Sequence, residues 1–308
     1  MQLFKETLTI NFIKHTRITR IISCVLLILS IGILIIQGLN LTVEFTGGTT
    51  LNVSLQKTSM PTQDISISTF REDINNDLLP QIEVVEIDNN NDGVFNFLLR
   101  TKFIEDESII ISTLKSKYPT LTVNSIDSFG PKLGAELTAS ARNAILLALL
   151  LISIYIAIRF DRYYALGSLA ALVHDVLLTI GILSLFNIEI GITIIAALLT
   201  IVGYSLNDTI VVYDRIRENI KKLMNHDRPD VVNQSLNETL NRTVVTSITT
   251  LVVVVVLYFY GGAVLQPFSF TLIIGILIGT YSSIFIASPI MLYFEEKYPI
   301  PEYKEEEE

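Results

Sequence analysis

Apolar residues gather along this chain into six runs of about 18 to 24 residues, each long enough to cross bilayer hydrocarbon as a helix at about 1.5 Å per residue. The spans are read at 21–40, 139–158, 165–186, 190–213, 241–262 and 268–293. Between the first two the pattern changes. LNVSL at 51–55 alternates as a strand, and Ile65, Ile67, Phe70, Ile74 and Leu78 then recur on one face of a helix from about Asp64 to Leu79, which Pro80 stops. The strands IEVVEI and VFNFLLR follow, joined by DNNNDG, whose Asn, Asp and Gly residues suit a turn. A second helix fits Glu105–Lys117, and Pro119 precedes a last strand, LTVNSI. The order βαββαβ predicts a ferredoxin-like α+β domain over 41–138, inserted after the first helix of an all-α six-helix membrane bundle.

Charge sets the expected topology. The net charge of −9 conceals an asymmetry: Leu41–Thr138 holds 14 acidic and 7 basic residues, whereas Lys5, Lys14, Arg17 and Arg20 precede the first span. Arg159 and Arg162 fill the second connection, and Arg215, Arg217, Lys221, Lys222 and Arg228 fill the fourth, at 214–240. The positive-inside rule then puts segment 1–20, the connection 214–240 and the acidic tail 294–308 in the cytoplasm, and 41–138 in the periplasm, for a multi-pass protein of a bacterial inner membrane. The first run exceeds a signal-peptide core and lacks a small-x-small site, so it is expected to stay as an anchor. Cys24 is the single cysteine, which leaves no disulfide for the exported domain. Tryptophan is absent, and Tyr163, Tyr164, Tyr293 and Tyr298 on the inside with Tyr258 and Tyr260 on the outside are expected to form the interfacial belt. No nucleophile with a base, metal-ligand cluster or cofactor loop is visible, which argues against an enzyme and for neither a bound metal nor a cofactor. No nucleic-acid partner is expected.

Chemistry enters at Asp208, because a carboxylate deep in a span costs roughly 2.5 to 3.5 kcal/mol on insertion scales. Counting from Gly191 puts Asp208 roughly 26 Å from the outer end of its span, and counting back from Gly261 puts Arg242 at roughly 28 Å on the next, antiparallel span. The matching depths make the two candidates for an ion pair. Burial disfavours the charged carboxylate and a neighbouring guanidinium favours it, so small helix movements could move a proton on or off. Arginine holds its proton throughout, and Asp208 is the candidate carrier. Tyr204 and Asn207 beside Asp208, and Thr246 beside Arg242, are candidate supporting polar groups. His174 and Asp175, near the midplane of the third span, fit either a proton relay or a packing hydrogen bond. Gly275, Gly279 and Ser283 repeat every four residues, a face for close helix approach. At the membrane exit, Phe45, Thr46, Gly47, Gly48 and Thr49 form a Gly-Gly motif with no following Lys-Ser or Lys-Thr, which suits a tight backbone turn better than a phosphate cradle.

FTGGT after the first span, VHD in the third, GYSLNDTIVVYDRIRE in the fourth and NRTVVTSITT opening the fifth, with one large external loop after the first span, together resemble the SecD/SecF family of bacterial protein-export membrane proteins. The likeness runs from Ile21 to Tyr293. It implies half of a resistance-nodulation-division type membrane fold, paired with a homologous SecD half and associated with the SecYEG channel and YajC. The family implies use of the proton-motive force to draw preproteins outward, with protons as the coupling ion. Its membrane aspartate falls on Asp208, its arginine on Arg242 and its Gly-Gly motif on Gly47 and Gly48. The chain departs from the family in having Thr42, Val43 and Glu44 where Gly-x-Asp is common, and Tyr213 where phenylalanine is usual, a ring expected to stay at the interface. Two rivals stand beside this reading: half of a small-molecule exporter, for which no second external loop has room, and a passive scaffold in which Asp208 and Arg242 only fix helix register.

Overall fold

The computed structural model describes residues 9–56, 82–88 and 94–298, with Phe70, Glu72 and Ile74. It divides into two compact units, 41–142 and the remainder.

The smaller unit comprises a short helix α2 (Val43–Thr46), strands β1 (Gly48–Gln56), β2 (Glu83–Asp88), β3 (Val94–Thr101) and β4 (Thr122–Phe129), and helix α3 (Glu107–Lys117). The strands form an antiparallel sheet in the order β2-β3-β1-β4. Two split βαβ units interleave to give this order, so the ferredoxin-like prediction stands. Alternation sets its core. Leu51 and Val53 of β1 lie opposite Leu99 and Phe97 of β3, and all four are buried on one face with Leu55. Ile110 and Leu114, four residues apart on α3, close over that face. Asp106 caps α3, its Oδ1 accepting from the Ser108 backbone N–H at 3.1 Å. Phe70 and Ile74 have helical backbone and are buried in the same core, with the Phe70 ring stacked on Phe97 at 4.5 Å. The other residues of the expected helix at 64–79, and the turn at 89–93, lie outside the described residues.

The membrane unit has six helices with the length and composition to cross a bilayer. These are α1 (Phe12–Ile36), α4 (Pro131–Arg159), α5 (Arg162–Leu185), α6 (Ile192–Lys222), α7 (Arg228–Tyr260), and a sixth made of α8 (Gly262–Ser282), a π-helical turn (Ser283–Ala287) and α9 (Ser288–Lys297). Helices α5, α6 and α8 are packed most deeply, while α1, α4 and α7 carry many exposed apolar side chains, as lipid-facing helices do. Small residues let the backbones close: a Cβ on Gly275 would sit 2.1 Å from Ile201 Cδ1, and one on Gly279 would sit 2.9 Å from Ser205 Cβ.

Helix ends differ from the apolar runs. Helix α6 continues to Lys222 and α7 begins at Arg228, so most of the 214–240 connection is a helical hairpin. It is pinned by Arg215 Nε donating to Glu238 Oε2 at 2.5 Å and by Asn219 Nδ2 donating to Ser235 Oγ at 3.0 Å and Glu238 Oε2 at 2.7 Å. Helix α4 begins at Pro131, within the segment read as the exported domain.

The tyrosine belt needs correction. Tyr163, Tyr164 and Tyr213 are buried. The rings of Phe160, Tyr164 and Tyr213 pack with centroids 4.9 to 5.9 Å apart, and the Tyr213 hydroxyl donates to the Ala287 carbonyl at 3.2 Å. Wider π-helical winding disturbs the regular hydrogen-bond ladder, and Tyr213 supplies a donor at the end of that turn. The hydroxyl that distinguishes Tyr213 from phenylalanine therefore holds α6 to the sixth span.

Candidate intramembrane proton site

Asp208 lies on the stripe of α6 that also carries Ser205, Thr209 and Val212, and it is only 3% exposed. Its Oδ2 has no hydrogen-bond partner among the described residues. Thr246 and Ser247 of α7 stand beside the carboxylate, and Arg242 is near enough for its charge to act on it. The nearby hydroxyls also have partners of their own: Ser247 Oγ meets Thr280 Oγ1 at 2.7 Å, and Thr246 Oγ1 donates to the carbonyls of Arg242 and Thr243 at 3.0 and 2.9 Å. Thr243 Oγ1 is a second buried atom without a partner.

The expected ion pair is not closed. Among the described residues no ion pair joins Asp208 to Arg242, and Arg242 is exposed. The cause is rotational. Consecutive residues point about 100° apart on a helix. Thr243 and Ser247 occupy the buried stripe of α7, which turns Arg242 toward its edge. The arrangement is a buried acid with a cation in electrostatic range but outside contact.

Asp175 presents the opposite case. It is 0% exposed and fully engaged: Oδ1 meets His174 Nδ1 at 3.1 Å, while Oδ2 accepts from Ser205 Oγ at 2.6 Å and Ser282 Oγ at 2.8 Å. One carboxylate thus ties α5, α6 and α8 together. His174 is 2% exposed, its Nε2 has no partner among the described residues, and its ring lies 6.2 Å from that of Tyr281. Of the other candidates, Tyr204 donates to Thr250 Oγ1 at 3.3 Å and Asn207 is exposed.

In the separate smaller unit the Phe-Thr-Gly-Gly-Thr motif makes a compact corner. Gly47 has φ of 76°, and a Cβ there would lie 2.9 Å from Pro131 Cα. Phe45 and Thr49 are buried, Thr46 is exposed, and Thr49 Oγ1 meets Ser128 Oγ at 2.9 Å. A Cβ on Gly48 would lie 2.7 Å from the Thr101 carbonyl oxygen. Both glycines are thus required by close backbone approach.

Residues 109–297 match the family model described as protein export membrane protein SecD/SecF, C-terminal. The chain belongs to the SecD/SecF family. It is 39% identical to the protein translocase subunit SecF of Calditerrivibrio nitroreducens, over 94% of this chain and 96% of that one. It is 40% identical to that of Rhodothermus marinus, over 95% of each, and 40% identical to that of Escherichia coli O157:H7, over 88% of this chain and 83% of that one. Among solved structures it is similar to the crystal structure of SecDF, a translocon-associated membrane protein, from Thermus, at a TM-score of 0.83 and 34% identity. SecDF in its super-membrane-facing form matches at 0.71 and 34%. Each comparison covers 96% of this chain but only 40% of the SecDF chain. A multi-pass membrane protein with an accessory role in Sec export is therefore the level at which the family assignment stands.

Sequence reasoning missed Ser282 and Glu238, read Arg215 only as a charge that sets topology, and did not foresee that Ser205 reaches Asp175. Ser205 stands three residues before Asp208 in the same polar stretch, a spacing that shares a helix face. Ser282 had no signal beyond its place beside the small-residue face of the sixth span.

Proposed function

We propose that this chain is the accessory half of a Sec export motor that works with a SecD homologue beside SecYEG and YajC, and that protons acting at Asp208 drive it to assist preproteins across the inner membrane. The termini and the 214–240 hairpin lie in the cytoplasm and the ferredoxin-like domain in the periplasm, as the basic flanks argue. The single observation carrying the proton reading is a buried carboxylate with one oxygen unpartnered, facing a helix whose arginine is near but unpaired.

That geometry supports two states. Ionised, Asp208 attracts Arg242 and draws on the hydroxyls of Thr246 and Ser247; protonated, it releases them. Entry of one proton supplies roughly 2.3 kcal/mol per 100 mV and about 1.4 more per unit of pH difference. The pinned hairpin lets α6 and α7 respond as a pair. Asp208→Asn keeps the shape and removes titration, so export of a secreted reporter in cells should slow as far as it does when the chain is deleted, with Asp208→Glu retaining part of the rate. Normal export with Asp208→Asn would refute the reading.

The scaffold alternative has an observation of its own. Asp175 is a buried acid in this bundle that bonds serines on two neighbouring helices, the arrangement a packing role requires. If Asp208 is likewise a packing group, Asp208→Asn leaves export unchanged and alters only thermal stability.

A further inference from the structure

A second feature of the membrane unit lies away from Asp208. Helices α1, α5 and the sixth span line a half-open cavity of about 580 Å³ with an almost wholly apolar wall. This lies within the range of about 300 to 1,000 Å³ typical of small-ligand sites. Along α5 the wall runs from Leu166 to Leu177, a rise of about 16 Å. That matches one leaflet, roughly half of a 30 Å hydrocarbon core. Leu27 of α1 lines it, and Arg20, about two turns earlier, stands at the end nearer the N terminus of α1.

The charges at that mouth favour an anion. Arg20 is exposed and has no ion pair among the described residues. Tyr293 lines the same end, and Lys297 Nζ donates to its hydroxyl at 3.2 Å, which brings a second cation alongside. Of the two acids on α9, Glu295 is engaged by Arg228 at 3.5 Å and Glu296 is exposed. An apolar slot one leaflet deep, ending in two cations that have no ion pair among the described residues, is complementary to an anionic amphiphile lying parallel to the helices.

We infer that this slot is a binding site for an anionic phospholipid, with one acyl chain between α1, α5 and the sixth span and its headgroup on Arg20. The leaflet is the one nearest the N terminus. The site is separate from the proton reading at Asp208 and holds whether or not that reading does.

The chain has no tryptophan, which permits a single reporter. Val173→Trp places one on the slot wall, and Val256→Trp places a control on an exposed face of α7. The full chain is reconstituted in phosphatidylcholine bilayers containing brominated phosphatidylglycerol or, separately, brominated phosphatidylcholine at equal mole fraction. The expected result is an apparent affinity about fivefold higher for the anionic lipid at Val173→Trp, and no preference at Val256→Trp. Arg20→Gln should abolish the preference and Arg20→Lys should keep it. Equal quenching by both lipids at the slot reporter, the same preference at the control, or a preference surviving Arg20→Gln would overturn the assignment. A slot reporter that neither lipid quenches would also overturn it, showing a site closed or covered by protein.

Discussion

Truncating Asp175 to alanine tests whether the three-helix clasp is structural. The substitution deletes three side-chain contacts, of 2.6, 2.8 and 3.1 Å, that join α5 to α6 and α8 and to its own neighbour His174. Hydrogen bonds between membrane helices average about 0.6 kcal/mol and reach about 1.7, so the two that run between helices give about 1 to 3 kcal/mol. The lower half of that range is expected, because Ser282 also donates to the Gly279 carbonyl at 3.1 Å and keeps that partner. Asp175→Asn should cost less than about 1 kcal/mol, since its carbonyl oxygen can accept from both serines while its amide donates to His174. Denaturant unfolding of the purified chain in mild detergent measures both, and a double-mutant cycle with Ser205→Ala should return a coupling of about 0.6 to 1.7 kcal/mol. A loss below about 0.5 kcal/mol for Asp175→Ala, or an equal loss for asparagine and alanine, would refute the clasp.

Gly275→Ala should cost about 1 to 3 kcal/mol because its new methyl meets three side-chain atoms of Ile201 within 2.8 Å. Ile201→Ala should recover much of that loss in the double variant, while Gly203→Ala, with nothing within 4 Å, should be neutral in the same unfolding assay. Arg215→Ala and Glu238→Ala should show a coupling of about 0.5 to 1 kcal/mol that shrinks between low and high salt, since the pair is partly exposed. Gly47→Ala should destabilise the ferredoxin-like domain by about 1 to 3 kcal/mol, read as faster hydrogen exchange in β1, because its backbone lies at φ 76° against Pro131.

The ferredoxin-like domain was legible because strand alternation and turn chemistry are local signals: Leu51, Val53 and Leu55 announce a buried face, and the element order then leaves few topologies. Hydropathy showed that spans exist but could not mark their ends, since α6 and α7 run on through charged residues such as Arg215 and Glu238 that are stabilised by each other. The intramembrane acids stood out by their cost in lipid. What sequence could not supply was rotation. A rise of about 1.5 Å per residue put Asp208 and Arg242 at one depth, but a turn of about 100° per residue decides what each faces. Thr243 and Ser247 took the buried stripe and Arg242 did not. Ser282, and the reach of Ser205 to Asp175, went unread for the same reason, because a serine in a membrane helix most often bonds its own backbone and only its azimuth shows when it reaches a carboxylate on another helix.

The central claim is that Asp208 exchanges a proton during work. Vesicles carrying the Sec channel, this chain and a SecD homologue allow movement of a precursor to be followed with and without an imposed proton gradient. The account predicts that the gradient-dependent part of that movement disappears with Asp208→Asn and survives in reduced form with Asp208→Glu. A precursor that still accelerates fully with the gradient in vesicles containing Asp208→Asn would contradict it.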